Sequence, residues 1–159
     1  MTVDRKGNQV QVSLSGSIGE TTPFFNLQLN DTKLLAIDMS DVTYINSIGV
    51  KNWILWTLRI PKACDVKLIN CPVVIVSQAS MVHGFTTPRM TIESFRMPYA
   101  CDTCGFEDMR FVSRGAHYEY ATETHPKRIT LPADLPCPKC GKGSFLPDVV
   151  LQKVFKFLG

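Results

Sequence analysis

Two Cys-x-x-Cys-Gly segments, Cys101-Asp-Thr-Cys104-Gly105 and Cys137-Pro-Lys-Cys140-Gly141, constrain what this chain can fold into more than any other feature. Two residues between a pair of cysteines let the backbone turn back so that both sulfurs face one metal ion, and a tetrahedral zinc ion takes four such thiolates. The glycine after each pair suits a position of positive φ and close backbone approach. Two unrelated thiol pairs, or a disulfide framework, are the competing explanations. Disulfides belong to exported chains, and the opening segment MTVDRKGNQVQVSLSG is polar and alternating, unlike a signal peptide or an amphipathic targeting helix. The spacing therefore predicts one structural Zn²⁺ held by Cys101, Cys104, Cys137 and Cys140, closed to substrate because all four positions are thiolates. His117 and His125 lie in the same region as alternative ligands, but four cysteines leave no vacancy for them. Cys64 and Cys71 lack metal-type spacing and read as reduced core thiols.

The 32 residues between the two pairs, and the absence of such pairs before Pro98, divide the chain. A core-driven domain over residues 1–96 and a metal-driven one over residues 97–159 are expected. About 60 residues are marginal on core burial alone, which is where a structural metal is used. With 45% apolar and 19% charged residues the chain has the composition of a folded soluble protein, and no run reaches the length of a membrane span. A cytoplasmic location is the corresponding expectation.

In the first part, Gln9–Ser15 alternates Val10, Val12 and Leu14 with polar residues, the period of a half-buried strand. Thr21 or Thr22 before Pro23 reads as a helix start, followed by Phe24, Phe25, Leu27 and Leu29. Residues 33–39 (KLLAIDM) and 66–70 (VKLIN) read as strands buried on both faces. Residues 50–60 and 73–82 read as helices, the first stopped by Pro61, and residues 91–95 as a short strand. Strands alternating with helices predict an α/β fold, a sheet covered by helices.

The segment LLAIDMSDVTYINSIGV resembles the signature of the STAS domain, the family of bacterial anti-sigma factor antagonists and of the cytoplasmic tails of sulfate transporters. That signature is a buried strand ending in aspartate, a short loop, and an Asp-Ser-Ser-Gly-like turn that opens a helix. Gly16 in LSGSIG, and Val66–Asn70 followed by a helix, fit the same pattern, so the resemblance spans roughly residues 3–96. It implies a mixed sheet with helices on one side, no catalysis, and protein–protein recognition around the loop before the helix. The family's antagonist members carry a phosphoacceptor serine at the position of Ile48, which has no hydroxyl. Asn46 stands where the pattern has aspartate. Phosphorylation-driven partner switching is therefore not expected at Ile48, and Ser47 is assigned to capping the helix.

The surface expected to meet a protein partner comprises Asn46, Ser47 and Ile48 in the loop and Trp56 on the helix. The helix VKNWILWTLRI carries more apolar side chains than one stripe needs, and tryptophan is a favoured interface anchor. Leu151 and Phe155 in the tail join this list. Leu151, Val154, Phe155 and Leu158 repeat at i, i+3, i+4 and i+7, which predicts an amphipathic C-terminal helix. Its stripe packs on its own chain, on a second copy in a homodimer, or in a partner groove.

Between the cysteine pairs, Phe106–Ser113 and Tyr118–Thr122 read as strands around Arg114-Gly115-Ala116, the layout of a β-rich zinc ribbon, with residues 124–136 as a loop. From Met97 to Gly159 eight Lys or Arg oppose seven Asp or Glu, and four thiolates around Zn²⁺ would add two negative charges. Ribbons that grip nucleic acid rely on a basic excess to reach phosphates, and this one has none. The leading expectation is a non-catalytic bacterial signalling adaptor that binds protein partners, sigma-factor regulators among them. The alternative is a transcription regulator that binds nucleic acid through the ribbon, using Lys139, Lys142, Lys127 and Arg128. An enzyme or redox protein built on the Cys-x-x-Cys pairs is the third reading; tight zinc at one ion per chain would exclude it.

Overall fold

The computed structural model describes residues 1–132 and 135–159. The first strands, β1 (Thr2–Lys6) and β2 (Gln9–Ile18), form a hairpin. A single 3₁₀ turn, Phe24–Asn26, leads to β3 (Leu34–Ile45), helix α1 (Ser47–Thr57), β4 (Asp65–Ile69), helix α2 (Val73–Met81) and β5 (Met90–Ile92). The five strands lie side by side in chain order, β1–β2 antiparallel and the remaining pairs parallel. The first sheet is thus mixed, with helices in the crossovers after β3 and β4.

Register explains the core. Val10, Leu35, Val66 and Met90 form one row across β2–β5, and Val12, Ile37, Leu68 and Ile92 the next. All eight are buried, whereas their sequence neighbours Gln11, Lys67 and Asp65 are exposed. One face alone is therefore deeply covered. This corrects the expectation that residues 33–39 and 66–70 are buried on both faces: Leu34, Ala36 and Asp38 on the opposite face of β3 are only half-buried. The helix expected after Pro23 shortens to the 3₁₀ turn, which tucks Phe24 into the core at 5.2 Å from the Trp56 ring and 5.5 Å from Trp53.

The second half follows from β6 (Ser94–Cys101), which pairs antiparallel with β7 (Glu107–Ser113). After the short antiparallel pair β8 (Tyr118–Glu119) and β9 (Arg128–Ile129), strands β10 (Leu135–Pro136) and β11 (Ser144–Pro147) complete the ribbon sheet, ordered β10-β11-β6-β7. Residues 133 and 134, within the stretch read as a loop, lie outside the described residues. The chain closes with helix α3 (Leu151–Val154), continued as a 3₁₀ turn over Phe155–Leu158.

The division expected between residues 96 and 97 falls inside β6. Phe95 bridges Cys71, whose N–H donates to the Ser94 carbonyl at 3.0 Å and whose own carbonyl accepts from the Arg96 N–H at 2.9 Å. The tail lies against α2, with the Ser80 hydroxyl donating to the Val154 carbonyl at 2.7 Å. Phe95, Tyr118 and Phe155 pack together in tilted and edge-to-face contacts, ring centroids 5.6–5.8 Å apart. Tyrosine hydroxyls seal the outer edge of β5: Tyr118 donates to the Ile92 carbonyl at 2.6 Å and Tyr120 accepts the Ile92 N–H at 2.7 Å. Residues on both sides of position 96 thereby contribute to one apolar core.

Candidate metal centre and the loop before α1

Each cysteine pair sits on a turn that its own backbone holds. In the first, the N–H groups of Thr103 and Cys104 donate to Cys101 Sγ at 3.4 Å, and Gly105 at φ 68° donates back to the Cys101 carbonyl at 3.1 Å. The second repeats the pattern: Lys139 and Cys140 N–H reach Cys137 Sγ at 3.4 and 3.5 Å, and Gly141, at φ 65°, donates to the Cys137 carbonyl at 2.9 Å. Left-handed backbone at Gly105 and Gly141 is where a side chain would strain the turn. The first turn joins β6 to β7 and the second joins β10 to β11, and pairing of β11 with β6 brings them face to face.

The four sulfurs of Cys101, Cys104, Cys137 and Cys140 all lie within 4.8 Å of one another. Two contacts cross between the turns, Cys101 to Cys140 at 3.8 Å and Cys104 to Cys137 at 3.7 Å. A tetrahedral ion about 2.3 Å from each sulfur sets neighbouring sulfurs roughly 3.8 Å apart. The cluster therefore has the dimensions of a single-ion, four-thiolate site.

The titration of these thiols fits the same donor set. The backbone N–H groups of Lys142 and Gly143 hold the Cys140 thiol down to about 6. At Cys104 the Phe106 N–H lowers the pKa, but desolvation and the three neighbouring sulfurs outweigh it and push the thiol up to about 12. Four thiolates so close repel one another, and a dication is the partner that lets all of them ionise.

Gly143 is the residue that cysteine spacing does not reveal. A methyl group there would come 2.5 Å from Cys101 Sγ and 2.6 Å from Thr103 Oγ1. A small residue three positions after the second pair was the available signal. Asp102 ties the turns together from outside, its Oδ1 accepting the Ser144 N–H at 3.0 Å and the Thr103 hydroxyl at 2.9 Å. Neither histidine joins the cluster. His117 Nδ1 takes the Ser113 N–H at 3.1 Å, and His125 Nδ1 lies 2.8 Å from the Thr124 hydroxyl.

Of the basic residues weighed for nucleic acid, Lys127 donates to the Gly159 carbonyl at 2.6 Å and Arg128 to the Gly115 carbonyl at 2.9 Å. Lys139 lies over the Phe106 ring, its Nζ 5.8 Å from the centroid. Three of the four thus have intramolecular partners.

The loop between β3 and α1 is built by Asn46 and Gly49. Asn46 Oδ1 accepts the Gly49 N–H at 2.7 Å, and Asn46 donates its own N–H to the Ile18 carbonyl at 3.2 Å. The helix therefore starts one residue earlier than Ser47 capping requires, and Ser47 is its exposed first residue. Asparagine takes the role because it has extended backbone at this point and an oxygen that reaches the third N–H. Gly49 is fixed by contact: a Cβ there would overlap the Ile18 carbonyl.

Ile48 is 48% exposed and Tyr44, which sequence reasoning did not single out, is 55% exposed. Trp56 and Phe155 do not lie on a surface; they are 3% and 1% exposed. Trp56 is covered by Phe24 and Trp53, and Phe155 by Phe95 and Tyr118. Both tryptophans of α1 belong to the core, with Trp53 Nε1–H donating to the Phe85 carbonyl at 2.7 Å. Leu151 is half-buried. The expected contact surface is therefore reduced to the loop and, in part, Leu151. The structure does not bring Asn46, Ser47 and Ile48 together with the tail into one patch of exposed anchors.

No helix is long and apolar enough to cross a membrane among the described residues. Comparison with known protein families, with curated proteins and with solved structures finds no match to this chain.

Proposed function

We propose that this chain is a non-catalytic adaptor of bacterial signalling, STAS-like in its first half, which binds a protein partner through the loop before α1. A single zinc ion holds the ribbon in its second half. The observation that carries this reading is the loop itself. The junction is anchored by the Asn46 cap and by Gly49 of α1 against Ile18, and beside it Tyr44 at the end of β3 and Ile48 in the first turn of α1 stand in solvent. A backbone anchored before contact loses little entropy on binding, which favours the side chains it carries as recognition groups. Zinc is the ion best suited to a closed set of four thiolates, and with no open position it would act in folding. The side-chain charge of the ribbon argues for a protein partner over nucleic acid.

Affinity capture from the native cytoplasm, read by mass spectrometry, tests the loop. A partner retained by the unaltered chain is expected to be lost with Ile48→Asp and kept with Leu146→Asp, a control at an exposed position on β11. Capture that ignores Ile48→Asp, or salt-sensitive retention of nucleic acid abolished by Lys139→Glu and Lys142→Glu, would overturn the reading.

A further inference from the structure

Strand β7 is the outermost strand of the ribbon sheet, and Glu107 to Phe111 are all exposed along it. One of its edges pairs with β6. The direction of the other is given by two side-chain contacts. Met109 N–H is met by Asp108 Oδ1 at 2.8 Å, and Ser113 N–H by His117 Nδ1 at 3.1 Å. Backbone groups of a strand alternate between its two edges, so the odd-numbered residues, Glu107 and Phe111 included, turn theirs away from β6. The same odd positions place Met109, 43% exposed, and Phe111, 54% exposed, on one face beside Pro98 and Arg96 of β6. Among the described residues no strand pairs with this edge, and such an edge with apolar side chains along it is a template for another strand.

We propose that the occupant of this edge is β7 of a second copy of this chain, running antiparallel about a twofold axis through Met109. Charge selects that register. Centring the pair on Met109 sets Asp108 opposite Arg110 of the other copy, and symmetry repeats the contact. Centring it on Asp108 or on Arg110 instead sets like charges against each other, which is unfavourable directly across a strand pair. Even-numbered residues form the non-hydrogen-bonded pairs, where opposing side chains are closest. Odd-numbered pairs close the ladder: Met109 meets Met109, and Phe111 stands diagonal to it on the same face. In the single chain the Asp108 carboxylate occupies its own Met109 N–H. Pairing gives that N–H a carbonyl and releases the carboxylate to Arg110. The interface is small, so a reversible dimer is expected. It is independent of the loop before α1.

Sedimentation velocity of the zinc-loaded chain under reducing conditions tests this. Asp108→Lys and Arg110→Asp should each weaken the dimer about tenfold or more, because each turns both attractive pairs into repulsive ones. The double variant Asp108→Lys with Arg110→Asp should bring Kd back to within about threefold of the unaltered chain, since the pairs are restored with their signs exchanged. Zinc content and circular dichroism report whether each variant is folded. Asp108→Asn, which keeps the side chain's shape, gives a milder version of the same test and should weaken the dimer severalfold. A chain that stays monomeric at the highest concentration, a dimer indifferent to these changes, or tightening by Arg110→Asp alone would overturn the proposal.

Discussion

Asn46, Ser47 and Gly49 illustrate how a short motif is decided by individual atoms. The loop needs an acceptor for the orphan N–H groups of α1, and a side-chain oxygen one residue before the helix reaches the third of them, as Asn46 does at 2.7 Å. Ser47 lies inside the helix and out in solvent, so its hydroxyl has no such role. Asn46→Ala is therefore expected to cost about 1 kcal/mol of stability in urea unfolding. Ser47→Ala should stay within about 0.5 kcal/mol, as for other exposed positions. The reverse order would restore Ser47 as the cap. Gly49 has no comparable freedom, because its α-carbon rests against the Ile18 backbone at the end of β2. That contact joins the first turn of α1, which carries the exposed Ile48, to the end of β2.

Among the elements, the tail shows most clearly what covers what. Its stripe of Leu151, Val154, Phe155 and Leu158 folds as one helical turn and one 3₁₀ turn against α2 and β6. Phe155 fills the space between Phe95 and Tyr118, so Phe155→Ala is expected to destabilise the chain by about 3–5 kcal/mol, measured by the shift of the urea midpoint. A loss below about 1 kcal/mol would mean the tail is not held there. The apolar spacing of this tail was legible in the sequence, but its cover was not, since Phe95 and Ser80 lie far back in the chain. The tryptophans of α1 misled for the same reason. Two apolar faces on one helix suggested a free surface, whereas Phe24 and Phe85, distant in sequence, close over both. Local signals fared better: the alternation in β2, the helix after Pro72 and the cysteine turns each depend on neighbours within a few residues. Runs such as Leu34–Ile37 in β3 carry apolar residues at every position, the pattern of a strand buried on both faces. The second face of β3 is in fact only half-covered.

At the scale of the molecule, a mixed five-stranded sheet and a four-stranded ribbon sheet meet through β6, the tyrosines at Ile92 and the tail. The ribbon sheet hangs on the cysteine turns, because pairing of β11 with β6 is short and ends at Phe145 opposite Cys101. Zinc binding would supply the missing folding energy there, and the first sheet has its own rows of buried side chains to stand on. Acid should release the ion, since protons compete with it for the thiolates: retention is full where the metal holds all four sulfurs ionised and falls as pH drops. Amide hydrogen exchange of the zinc-loaded chain, before and after stoichiometric removal of the metal by a chelator, tests the account most directly. The account predicts that β7, β10 and β11 and the ribbon end of β6 lose protection while β2, β3 and β4 retain theirs. Unchanged protection in the ribbon after the metal has gone would contradict it.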